Sequence, residues 1–172
     1  RALPLDCLRH PAQIDHYLAT TGSTAWVLVV RLLGGRGHWS YGLEQCRRWQ
    51  SSAPERTLIV LAGTADQNDE LHPIGSVSST FSQQLALLLS EGGMPNMTKV
   101  LKAIHPFITS CKEPETLNDA SDLQPERMAD PAPFDWRDES GAKVGVLLYR
   151  AHARAADTEW CDQLLTTLRS RG

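Results

Sequence analysis

The run Trp26–Leu33, WVLVVRLL, shows no alternation of polar and apolar residues. A strand with one face in water alternates, so this run is expected to be covered on both faces, as strands of parallel sheets are. It breaks at Gly34-Gly35-Arg36-Gly37 and resumes as an amphipathic segment from Ser40. The stretch therefore reads as buried strand, tight glycine loop and helix. TLIVLA (Thr57–Ala62) and KVGVLLY (Lys143–Tyr149) repeat the strand pattern. Parallel neighbours require a crossover, usually a helix. The predicted fold class is α/β: an open, mostly parallel sheet flanked by helices, flavodoxin- or Rossmann-like. In such sheets ligands bind outside the carboxyl ends of the strands, which directs attention to the glycine loop.

Helical periodicity fills the spaces between the strands. Pro11 opens a helix with Ile14, Tyr17 and Leu18 on one side, closed at Gly22. Leu3–Leu8 reads as the end of a strand. Ser40 is placed to cap the helix after the glycine loop, with Leu43, Cys46 and Trp49 facing inward. Gly63–Gly75 is a polar loop. Val77, Phe81, Leu85, Leu88 and Leu89 share a helical face, with Thr80 and Gln83 as a capping box. After Gly92-Gly93, Asn96 is expected to cap a helix whose inner face is Met97, Val100, Leu101, Ile104 and Ile108, with its final turn kinked or shortened by Pro106. A last helix follows Asp157, with Trp160, Cys161, Leu164, Leu165 and Leu168 inward.

Charge is unevenly spread. The 172 residues carry a net charge of −3, yet positions 113–140 hold nine acidic side chains against Arg127 and Arg137. With its prolines, that stretch reads as an acidic linker or crossover, anchored by Phe134 and Trp136. The predicted organisation is an α/β domain over 1–112, the linker over 113–140, and a strand plus helix over 141–172 that completes the sheet or opens a further domain. The mildly basic remainder suits a small anionic ligand better than nucleic acid. No apolar run approaches the roughly 20 residues that span a bilayer. Cys7, Cys46, Cys111 and Cys161 are scattered and read as free thiols of a cytoplasmic protein. The chain opens on Arg1 and stops where another strand is due, so it is expected to be part of something longer.

Two clusters sit where chemistry is expected. Around the glycine loop stand Arg31, Arg36, His38 and Trp39. Backbone amides and a helix N-terminus favour an anion there, though the loop is neither GxGxxG nor GxxxxGK[ST]. Arg150 and His152 follow the third predicted strand. Asp66, Asp69, Glu70 and His72 could hold a metal, but a solvated polar loop is the preferred reading. His10 and His16 share no helical face well. No Ser-His-Asp set, paired catalytic carboxylates or HExxH motif occurs, so the residues alone name no reaction.

Taken jointly, several words carry a resemblance. VVRLLGGRGHWSYGLEQ (Val29–Gln45), LRHPAQIDHY (Leu8–Tyr17), VLAGTADQNDELHPIGSV and the Tyr-Arg-Ala-His segment opening KVGVLLYRAHARAADTEWCDQLLTTLRSRG (Lys143–Gly172) resemble the N-terminal region of the cobaltochelatase large subunit (CobN) family, shared with the H subunit of magnesium chelatase. The resemblance implies ATP-dependent insertion of cobalt into a corrin precursor on the route to cobalamin. The alternatives it leaves are a magnesium chelatase H-type subunit of chlorophyll synthesis, or a scaffold and docking domain. An unrelated flavin or nucleotide binder is a third reading of the fold. The resemblance further implies a tetrapyrrole ligand, an AAA+ ATPase subunit and an integrin-domain subunit as partners, and contacts with further domains of its own chain. Cobalt, and ATP with magnesium on the partner subunits, would serve the whole complex, with no cofactor bound by this segment and no catalytic residue within it. The expected ligand-facing set is Arg31, Arg36, His38, Trp39, Arg150 and His152. Arginines would pair the carboxylates of the macrocycle, and Trp39 would stack on its face.

Overall fold

Two six-residue strands form the centre of the computed structural model, which describes residues 2–64, 68–110, 123–127 and 159–170. β1 (Val27–Leu32) and β2 (Thr57–Ala62) pair in parallel, with Val27 opposite Thr57 and Leu32 opposite Ala62. Helices α1 (Pro11–Ala19) and α2 (Ser40–Ser51) precede β2 in the chain; α3 (Asn68–Leu71), α4 (Ser79–Glu91), α5 (Gly93–Ser110) and α6 (Glu159–Ser170) follow it. The expected α/β fold of an open parallel sheet flanked by helices is what forms. The predicted strand Lys143–Tyr149, the anchors Phe134 and Trp136, and Arg150 and His152 lie outside the described residues.

Every residue of β2 is buried. Its side chains alternate between two cores, as the period of a strand requires. Ile59 and Leu61 pack with Phe81, Leu85, Leu88, Val100 and Phe107 of α4 and α5. Leu58, Val60 and Ala62 pack on the other face with Leu43, Cys46 and Leu71, joined by Val30 and Leu32 of β1. Burying each such aliphatic side chain contributes roughly 1.5–3 kcal/mol. β1 is covered less evenly. Val29 is 41% exposed and Arg31 is also exposed, both on the side facing α4 and α5. The run that reads as doubly covered is therefore covered on one face and half-open on the other.

β2 has only one edge for pairing. Its amides at Thr57 and its continuation Gly63 donate to Trp26 and Leu32 of the β1 segment, at 2.8 Å each. On the opposite edge the Leu58 amide donates to Ser76 Oγ at 2.9 Å, and the Ala62 amide donates to His72 Nε2 at 3.3 Å. Ser76 N–H in turn donates to the Leu58 carbonyl at 2.8 Å. A 3₁₀ turn over His72–Ile74 and the residues after it thus take the place a further strand would occupy.

Helix boundaries depart from the sequence expectation in ways the local geometry explains. Leu5–Leu8 is a 3₁₀ turn rather than a strand end. α2 is preceded by Trp39 at the N-cap, not Ser40, because a 3₁₀ turn over Arg36–Trp39 tightens the chain before it. Ser78 caps α4 by accepting the Phe81 amide, in place of Thr80. α5 starts at Gly93, directly after Gly92, and continues through Pro106 to Ser110. Asn96 lies inside it, fully buried, and is not a cap. Its amide group donates to the Gly92 and Glu126 carbonyls at 2.7 and 2.8 Å and accepts the Glu126 amide at 2.8 Å. Leu123 enters the core beside α5, and Lys99 donates to the Gln124 carbonyl at 2.9 Å. Part of the acidic stretch is thus bonded to α5. That clamp rotates α5 so that Val100, Ala103 and Phe107 face the core. Met97, Leu101 and Ile108, expected inside, are 43%, 63% and 51% exposed.

Trp39 shapes the start of α2. Its indole donates to the Leu8 carbonyl at 2.9 Å, and the ring lies over Gly42. A Cβ at Gly42 would fall 2.1 Å from the ring. Gly42→Ala is expected to destabilise the chain by about 1–3 kcal/mol, although alanine is the better helix former. Chemical denaturation checks this, and adding Trp39→Leu should recover part of the loss; a stabilised Gly42→Ala would contradict the packing.

Candidate functional site

The carboxyl ends of β1 and β2 open onto two loops that touch. Gly34 and Gly35 take φ values of 103° and 75°, a left-handed conformation that residues with a Cβ adopt at a cost. They swing the chain over the strand end, so the Arg36 amide donates to Glu70 Oε1 of α3 at 3.2 Å. The glycine loop and the Asn-Asp-Glu-Leu turn are thereby fastened together at one rim.

On the α2 side of that rim lies a polar cleft of about 490 Å³, lined by Arg36, Ser40, Tyr41, Leu43, Glu44, Arg47 and Ile74. Leu43 and Ile74 form its apolar floor, being part of the core under α2. Ser40, Glu44 and Arg47 recur at four- and three-residue steps, which sets them on one face of α2. Glu44 is paired with Arg48. Arg36 and Arg47 are exposed, and among the described residues neither guanidinium is in an ion pair. The Tyr41 hydroxyl donates to the Asp15 carboxylate at 2.9 Å, joining α2 to α1. That bond, more than burial, raises the Tyr41 pKa above the ordinary phenol value. No side chain caps α2, so its first turn keeps amide donors near the cleft. Two guanidiniums, two hydroxyls and a helix N-terminus above an apolar floor suit a ligand with an apolar body and carboxylate arms.

The sequence-predicted residues divide. Arg36 lines the cleft. His38 is exposed and packs against Gly34 rather than into the cleft. Trp39 is half-buried, its N–H already engaged by Leu8. Arg31 lies on the other face of the sheet, toward α4 and α5. Arg150 and His152, like Asp66, fall outside the described residues. Tyr41, which with His38 and Trp39 reads in the sequence as a face for a flat aromatic ligand, lines the cleft, whereas Ser40 and Arg47 were not singled out as binding residues. Their signal is the polar face of α2, visible once the helix is phased by Leu43 and Cys46. Burial pushes the Cys46 thiol up to about 12, so it stays protonated and serves as packing.

His72 is a second residue whose role spacing conceals. Beside Asp69 and Glu70 it has the look of a metal ligand. Among the described residues no group of three His, Cys, Asp or Glu is placed to hold an ion. Instead His72 is fully buried and its Nε2 accepts the Ala62 amide. Nε2 must then be unprotonated, and the buried Nδ1 has no partner in the described structure. Burial lowers the His72 pKa, against a smaller opposing pull from Asp69.

No family profile matches the chain. Among curated proteins it is 27% identical over 177 residues to the aerobic cobaltochelatase subunit CobN of Pseudomonas aeruginosa, covering 96% of this chain and 14% of that one. The aerobic cobaltochelatase subunit CobN of a Sinorhizobium species is 25% identical over 191 residues, covering all of this chain and 14% of its own length. The chain thus spans about one seventh of the length of these relatives. Among solved structures, the catalytic subunit of cobaltochelatase from Mycobacterium tuberculosis aligns over 94% of this chain and 12% of that one, with a TM-score of 0.49 and 20% identity.

The His72 geometry sets a pH dependence. A histidine whose folded pKa lies below its unfolded value binds more protons when unfolded, so stability rises with pH across that interval. The His72 contribution is complete above the unfolded value near 6.5 and is lost as pH falls toward the lower folded value. Denaturant midpoints at pH 7.5 and 5.5 are expected to fall on acidification. His72→Asn should be less stable at pH 7.5 and show a smaller drop; an unchanged drop would assign it to other groups.

Proposed function

The chain is related to the CobN subunits along essentially its whole length, and from that kinship we propose that it is the tetrapyrrole-handling N-terminal region of the large subunit of an ATP-dependent cobaltochelatase. In this reading the full enzyme, acting in the cytoplasm, inserts cobalt into a corrin precursor on the aerobic route to cobalamin. Cobalt is the cargo. ATP and magnesium act on an AAA+ ATPase subunit and an integrin-domain subunit, in keeping with a sequence that has no GxxxxGK[ST] loop. This segment contributes recognition, and the metal-inserting groups belong to other parts of the longer chain.

One observation carries the reading: Arg36 and Arg47 converge on a cleft with an apolar floor at the carboxyl rim of the sheet. A corrin precursor offers the matching chemistry, a flat hydrophobic ring fringed with carboxylates. The guanidiniums form charge-assisted hydrogen bonds to those carboxylates, worth more than neutral ones. Ser40 and the first amides of α2 add neutral donors. Arg150 and His152 complete the ligand-facing set in this reading, whereas Arg31, His38 and Trp39 are placed away from the cleft.

The test is a titration of the full 172-residue chain with a metal-free, carboxylate-bearing corrin, followed by quenching of tryptophan fluorescence. Saturable quenching is expected. Arg36→Ala with Arg47→Ala should weaken binding at least tenfold, since each charged hydrogen bond contributes about 1.5–3 kcal/mol. Both side chains are exposed, so the fold is expected to survive. Equal affinity of the two proteins, or no quenching by either, would overturn the reading.

A further inference from the structure

The segment 68–76 is held to the sheet unevenly. At one end Ser76 is fixed to β2 twice: its N–H donates to the Leu58 carbonyl at 2.8 Å, and its Oγ accepts the Leu58 amide at 2.9 Å. Gly75 lies so close to the strand that a Cβ there would fall 2.9 Å from the Leu58 carbonyl oxygen. Among the described residues, two hydrogen bonds join residues 68–74 to β2 and the glycine loop. His72 Nε2 accepts the Ala62 amide at 3.3 Å, and Glu70 Oε1 accepts the Arg36 amide at 3.2 Å. Gly75 and Ser76 are thus a pivot, and the rest hangs on His72 and Glu70. The hanging part carries two pieces of the cleft. Glu70 fastens the glycine loop, and Ile74 supplies part of the apolar floor.

We propose that His72 is a proton-operated latch on the cleft. Neutral, it holds the turn against the end of β2. Protonated, it lets residues 68–74 swing about Gly75 and Ser76, which takes Glu70 off the Arg36 amide and Ile74 out of the floor.

The geometry sets the direction of the switch. In the closed state Nε2 accepts, so the ring proton sits on Nδ1, where no acceptor meets it. A second proton on Nε2 would point at the Ala62 N–H, donor against donor. A charged ring with neither N–H bonded is costly at 0% exposure, whereas water satisfies both. The surrounding charges do not reverse this. α3 brings Asp69 and Glu70, and the pull of Asp69 is smaller than the effect of burial. β2 has no titratable side chain, and α4 has one, Glu91, its last residue. Arg36, Glu44 and Arg47 line the cleft with Ile74, and Glu44 is paired with Arg48. Leu71 is fully buried too, so the open form is a minor one whose population acid raises. The open form takes its proton near the ordinary value and the closed form below it. The opening equilibrium therefore rises by as much as about tenfold between pH 7.5 and 5.5. The latch works whatever the cleft binds, so a corrin titration without response leaves it standing.

The test is hydrogen exchange of the 172-residue chain at pH 7.5 and 5.5, each rate divided by the intrinsic rate at that pH. Residues 34–38 and 70–75 are expected to be less protected than β2 and α4 at both values, and to lose several-fold to about tenfold of that protection at pH 5.5. In His72→Gln, Oε1 replaces Nε2 as the acceptor and does not titrate, so rim protection should be the same at both values. On the unaltered chain, nitrogen NMR of the imidazole should show a neutral ring protonated at Nδ1, titrating over the pH range in which the rim loses protection. That readout stands even if His72→Gln fails to fold. Rim protection equal to that of β2 at both pH values would make His72 a contributor to global stability alone and overturn the proposal. So would an undiminished acid loss in folded His72→Gln, or a ring that titrates while the rim stays protected.

Discussion

The double burial of β2 governs the rest of the molecule. A strand covered on both faces must spend all its backbone groups on partners, because water reaches none of them. One edge goes to β1 in parallel register. The other goes to Ser76 and His72. Parallel pairing forces the connection between the strands to cross over as α2, and it sends both carboxyl ends to the same rim. The contact of the Arg36 amide with Glu70 follows from that arrangement. So does the cleft beside α2.

The same constraint explains why the sheet is asymmetric. His72 and Ser76 act as a substitute strand, which ends the sheet on the β2 side. Among the described residues β1 is left with its second edge unpaired and half of one face uncovered, and α5 with an exposed apolar stripe alongside. A fold with a saturated strand at one side and an unsaturated one at the other has a direction of growth.

Much of this was legible in the sequence, because apolar runs and glycine breaks respond to burial and local backbone sterics. WVLVVRLL and TLIVLA gave the two described strands, and Leu43, Cys46 and Trp49 gave the inner face of α2. What escaped depends on contacts distant in sequence. The orientation of α5 is decided by Asn96 gripping Glu126, thirty positions away. Leu101 and Val100 are equally apolar, so periodicity could not choose between them. His72 looked like part of a polar loop because its partner is a backbone amide that spacing rules do not see. For the site, Arg36 and Tyr41 were found through the glycine loop and the aromatic residues after it, while Arg47 required the phase of α2 around its axis. Trp39 was expected on a ligand face, and its indole N–H holds Leu8.

The account stands on one claim: the parallel pair delivers two loops to a common rim, and that rim with its cleft is the surface that receives a carboxylate-fringed ring. Hydrogen exchange of the full chain, with and without a metal-free carboxylated corrin, tests it most directly. Slowed exchange is expected over residues 34–47 and 70–75, with no change in α4. Protection confined to α4 and α5, with residues 34–47 unaffected, would contradict it.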